Sequence, residues 1–139
     1  MRDETKLVLD ANVIAKWYIE EENTEKAIKI RDKFVADKLA IFEPTLLIYE
    51  LGNVFWKHPV KSPDDVETDF KALFEIELEF LDVNEPGFLK NVFENARKFG
   101  ITFYDAVYVS LAMKEDCKLI TADRRLQRKV EGQMDVELL

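Results

Sequence analysis

Four acidic side chains stand where a chain that merely folds would not place charge. Asp10 ends the β-like run Lys6-Leu7-Val8-Leu9, and Asp123 follows the β-like run Lys118-Leu119-Ile120-Thr121. Glu50 breaks the apolar stripe of a helical segment that begins near Thr45. Asp105 stands at the mouth of the almost wholly apolar Ala106–Met113. Removing unpaired charge from water is costly, so carboxylates repeated at such places point to a ligand. Oxygen donors without nitrogen or sulfur suit hard divalent cations, Mg²⁺ or Mn²⁺.

Each acid also has a plain structural reading. Asp10-Ala11-Asn12 is good helix-capping material, with Asn12 the better cap. Glu50 shares the i, i+3, i+4, i+7 stripe of Leu46, Leu47, Leu51 and Val54, which faces a core; a structural role there needs a buried partner. Thr102-Phe103-Tyr104-Asp105 reads as a capping box, yet the helix after it is apolar on nearly all sides, which brings its acidic end inside or to a cleft. Asp123 can cap the segment Arg124–Val130, with Thr121 sharing that duty. Asp82, also at a strand end, reads as a turn residue before Val83-Asn84-Glu85-Pro86. The run Glu20-Glu21-Glu22 reads as solvated.

Other chemistries lack their residues. His58 is the only histidine and Cys117 the only cysteine, which argues against zinc and against Ser-His-Asp or Cys-His catalysis. Four glycines and no Gly-rich loop leave a phosphate cradle of that kind unsupported. Trp17, Trp56 and the phenylalanines read as core.

The elements that must position these acids alternate between short and long apolar periods. Strands are expected over Lys6–Asp10, Leu39–Phe42, Glu79–Val83, Lys118–Thr121 and, weakly, Asp135–Leu138. Helical spacing covers Val13–Glu20, Thr24–Asp37, Thr45–Lys57, Pro63–Ile76, Pro86–Phe99, Tyr104–Lys114 and Arg124–Val130. Asn23 suits a cap, Pro86 a first turn and Gly100 a helix end. Strands separated by helix-sized intervals imply an α/β fold of three layers, a central parallel sheet of four to five strands flanked by helices. In such sheets ligand groups gather beyond the carboxyl ends of strands, where Asp10 and Asp123 fall.

Length and charge bound the rest. The 139 residues fit one domain, 1–139. An excess of 28 acidic over 20 basic residues gives a net charge of −8, which disfavours broad adsorption to nucleic acid or anionic membrane. A lone cysteine and an N-terminus unlike a signal peptide lead to the expectation of a cytoplasmic protein. No apolar stretch reaches membrane-spanning length.

The ordered motifs Leu-Asp-Ala-Asn (9–12), Leu-Ile-Tyr-Glu-Leu-Gly-Asn (47–53), Thr-Phe-Tyr-Asp-Ala (102–106) and Leu-Ile-Thr-Ala-Asp (119–123) resemble the PIN-domain nucleases. Within them they look most like the VapC-type toxins of toxin–antitoxin pairs. The resemblance runs from about Leu7 to the last strand. It implies a PIN-like fold and a metal-dependent endoribonuclease whose Asp10, Glu50, Asp105 and Asp123 hold one or two Mg²⁺ or Mn²⁺ ions. Asn12 and Thr121 match the polar positions that support the first and last acids. The resemblance also implies an RNA substrate, a small antitoxin partner and a homodimer. Arg124, Arg125 and Arg128, with Lys129, place positive charge beside Asp123, where an RNA backbone can run or where a helix simply meets solvent.

Two rivals stand beside this reading. A phosphotransfer protein also uses a strand-end aspartate with Mg²⁺, but Asp10-Ala11-Asn12 lacks a second acid two residues on. A catalytically silent PIN-like module would keep the fold and serve only as an interaction surface.

Overall fold

The computed structural model describes residues 5–139. Its centre is a five-stranded sheet of β1 (Thr5–Leu9), β2 (Leu39–Pro44), β3 (Glu79–Leu81), β4 (Lys118–Thr121) and β5 (Val136–Leu138). The strand order is β3-β2-β1-β4-β5 and every pairing is parallel. Register pairs Val8 with Phe42 on one side of β1 and with Leu119 on the other. Leu7, Val8 and Leu9 are successive and all buried. Because neighbouring strand residues face opposite ways, both faces of the sheet must be covered.

The helices are α1 (Ala11–Ile14), α2 (Thr24–Val35), α3 (Leu46–Lys57), α4 (Pro63–Glu75), α5 (Pro86–Phe99), α6 (Phe103–Lys114) and α7 (Arg124–Val130). Seven consecutive residues of α6, Ala106 to Ala112, are buried. That helix packs on β1, β2 and β4 and carries α5 against it. Its near-uniform apolarity is therefore explained by a central position. Leu47, Leu51 and Phe55 form the buried stripe of α3.

Several local expectations hold. Pro86 opens α5, and Gly100 closes it with φ +65°, the left-handed conformation that glycine adopts without a Cβ penalty. Asp82 Oδ1 accepts from Asn84 N at 2.9 Å, a turn contact. Glu20, Glu21 and Glu22 are exposed.

Others need correction. The helix expected over Val13–Glu20 is one turn of α1 followed by a 3₁₀ turn over Ala15–Trp17. The Trp17 indole donates to Ala27 O at 2.9 Å, and that tertiary bond fixes the chain where a continued helix would leave. Asn23 sits at the start of α2 in a left-handed conformation and makes no cap bond. Thr24 Oγ1 ties that corner instead, accepting from Glu21 N at 2.9 Å. Trp56 is 78 % exposed, not core, because it lies off the Leu47–Leu51–Phe55 stripe.

Candidate active site

The sheet sends β2 to one side of β1 and β4 to the other, so a crevice opens past the carboxyl ends of β1 and β4. Asp10 and Asp123 leave those two strand ends. Asp10 N donates to Ile120 O at 2.9 Å, holding the aspartate against β4. Asp10 as a whole is 5 % exposed. Thr121 Oγ1 donates to Asp10 Oδ2 at 2.8 Å and accepts from Asp123 N at 3.0 Å. One hydroxyl thus spans both acids.

Asn12 does not cap α1. Its amide bridges outward, Nδ2 toward Asp10 Oδ2 at 3.3 Å and Thr121 Oγ1 at 3.4 Å, while Oδ1 accepts from Ala122 N at 3.0 Å. The expected supporting residues therefore form one polar network that joins the β1 and β4 ends. Asp123 does cap its helix: Oδ1 accepts from Arg125 N at 2.9 Å and from Leu126 N at 3.2 Å. Asp105 sits in the first turn of α6, where Thr102 Oγ1 accepts from its amide at 3.0 Å.

Asp105 and Asp123 line a cleft of about 200 Å³, faced by Arg125 and Lys129. Arg124 and Arg128 are exposed and do not line it, since residues one apart on a short helix point different ways. Lys129 Nζ also donates to Gly100 O at 2.6 Å. Glu50 is half-buried and lines a second hollow of about 330 Å³ with Tyr49, Asn53 and Tyr104.

The acids feel one another. Burial pushes the Asp10 carboxyl up to about 7; the Thr121 bond offsets part of this, and the charges of Asp105 and Glu50 add to it. Burial also raises Glu50, opposed by Tyr108 and assisted by Asp105. Asp105 is raised by burial and then by Asp123, with Thr102 and Lys129 acting the other way. Asp105 thus lies within electrostatic reach of each of the other three acids.

Among the described residues, no three carboxylate, histidine or cysteine side chains are disposed to hold an ion on their own. An all-oxygen set with one or two carboxylates per ion still fits Mg²⁺, which keeps several of its waters. Burial disfavours the charged form of Asp10, which a proton or a bound cation would relieve alike.

Two groups at this site lie outside the motif acids and their supporting residues. Glu43 is fully buried, as is Tyr108. The expected second strand stopped at Phe42; two more residues at period 2 align Glu43 with Leu39 and Ile41 on one face, and that alternation was the available signal. Tyr108 was hidden because a tyrosine in an apolar helix reads as packing.

The PIN-domain family model matches residues 7–132. Among curated proteins, Ribonuclease VapC3 of Pyrobaculum aerophilum is 35% identical over 127 residues, covering 89% of this chain and 94% of that protein. Exonuclease VapC9 of the same organism is 36% identical over 110 residues, 78% of this chain and 80% of its own length. Among solved structures, a toxin–antitoxin complex from Klebsiella pneumoniae shares the fold, with a TM-score of 0.68 over 94% of this chain and 95% of that one at 11% identity. With a family model matched over most of its length and a relative aligned across nine-tenths of it, the chain belongs to the PIN-domain family.

Proposed function

We propose that this chain is a ribonuclease of the VapC type that hydrolyses RNA phosphodiesters with the help of Mg²⁺ or Mn²⁺. The observation that carries the reading is a buried Asp10 at a strand crossover, in the electrostatic field of Glu50 and Asp105, with Asp123 beyond. Asp10, Glu50, Asp105 and Asp123 would hold the metal. When bound, one or two such ions supply an activated water and neutralise charge on the attacked phosphate. The chain's own residues do the rest. Thr121 and Asn12 fix the orientation of Asp10. Arg125 and Lys129, across the cleft from Asp105 and Asp123, suit a phosphate of the RNA backbone.

The test is Mg²⁺-dependent digestion of RNA, with Asp10→Asn as control. Cleavage that needs the metal, leaves 5′-phosphate and 3′-hydroxyl ends and disappears in Asp10→Asn is expected. Internal fragments rather than released mononucleotides would mark it as endonucleolytic. Full activity in folded Asp10→Asn would reject the assignment.

That no three carboxylate, histidine or cysteine side chains among the described residues are disposed to hold an ion together favours one second reading, a PIN-like module without catalysis. Calorimetry separates the two, because that module would take up no Mn²⁺. The expected partner is a small antitoxin, in line with the likeness to a toxin–antitoxin complex. The exposed Tyr49, Trp56 and Val60 on and just beyond α3 suit a homodimer contact, which sedimentation would detect. A cytoplasmic setting fits this role, and no helix of the described residues is long and apolar enough to cross a membrane.

A further inference from the structure

Beneath Asp10 lies a fifth acid that the motifs do not contain. Glu43, on β2, is 0 % exposed. Past the last registered pair of β1 and β2, Val8 with Phe42, the Leu9 amide donates to Glu43 Oε2 at 2.8 Å. Leu9 is itself fully buried, and a buried amide without a partner is costly. The peptide leading into Asp10 is thus gripped from both sides, by Glu43 through Leu9 N and by Ile120 O through Asp10 N. Glu43 Oε1 and the Tyr108 hydroxyl are both buried, and neither meets hydrogen-bond geometry among the described residues. The Tyr108 hydroxyl nonetheless lies beside Glu50, whose charged form it favours, and within electrostatic reach of Glu43 and Asp10.

We infer that Glu43 is a positioning residue for the metal site, holding the carboxyl end of β1 so that Asp10 is presented at a fixed angle to the other acids. The inference rests on the ribonuclease reading for its purpose, though not for its geometry. Burial drives the Glu43 carboxyl well above its ordinary range, the Leu9 bond opposes this and Asp10 adds to it. The holding is done by the acceptor oxygen Oε2. An amide carbonyl can serve equally, and a side chain one methylene shorter withdraws from Leu9.

The test compares Glu43→Gln and Glu43→Asp in the full chain. Amide hydrogen exchange is read in the metal-free protein and Mn²⁺ affinity by calorimetry. Glu43→Gln is expected to match the unaltered chain in both. Glu43→Asp is expected to speed exchange at Leu9 and Asp10 about tenfold while leaving α5 and α6 protected. It should also weaken Mn²⁺ binding by about tenfold, as loss of a supporting partner commonly does. Unchanged exchange and affinity in Glu43→Asp would overturn the assignment, as would equal damage in Glu43→Gln. Were the unaltered chain to bind no Mn²⁺, the ribonuclease proposal would fall, and the exchange comparison would still decide whether Glu43 holds the strand end.

Discussion

At Asp10 burial and charge conflict. Its carboxyl titrates near 7 in the folded chain against 3.8 in the open one. The folded state therefore holds a proton that the unfolded state has already released. Stability contributed by that proton is complete below about pH 4 and is lost as the pH rises through about 7. The penalty for the metal-free fold above that range is on the order of a few kcal/mol. Asp10→Asn should consequently raise the melting temperature in EDTA near pH 8, and the advantage should vanish toward pH 4. A pH-independent difference would remove burial strain as its cause. Sequence alone singles out Asp10 as a candidate, since a strand end before a helix is a habitual ligand position. It could not reveal Glu43, because burial of a strand residue depends on what covers the sheet. Nor could it divide Arg124, Arg125 and Arg128, because which of them turns to the cleft follows from how α7 sits on β4 and β5.

At the level of elements, α7 has only seven residues, too few to persist without anchoring. Leu126 and Val130 are buried and Asp123 closes the first turn. On the ribonuclease proposal Asp123 would therefore carry two duties, a cap in the helix and a metal ligand in the cleft. Asparagine can perform the first and not the second. Asp123→Ala should lower stability by about 1 kcal/mol, while Asp123→Asn should leave the melting point nearly unchanged and still impair metal-dependent cleavage. If Asp123→Asn cleaves RNA normally, Asp123 is a cap alone. Most elements were legible from apolar period and from the punctuation at Pro86 and Gly100. The first helix was not, because the Trp17–Ala27 contact that stops it joins residues whose proximity no local pattern announces.

The whole molecule carries a charge of −8 and so repels RNA at long range. Local binding must overcome this through a few cations, of which Arg125 and Lys129 reach the cleft. Arg125→Ala should weaken RNA binding and reduce the slope of log affinity against log salt by about 0.7, the share of one phosphate contact to a single strand. Arg124→Ala should change the slope less. Equal slopes in all three proteins would discard this wall of the cleft as a binding surface. The parallel sheet has a further outcome in time. Thr121 meets Asp10 across 111 positions of sequence, and β4 joins the centre of the sheet after β1, β2 and β3 have been made. A nascent chain still threaded through the ribosome thus lacks Asp123, and the Thr121 hydroxyl that holds Asp10, until β4 has emerged. On the ribonuclease proposal, β4 would have to emerge before the newborn toxin could attack any RNA, including the transcript that encodes it.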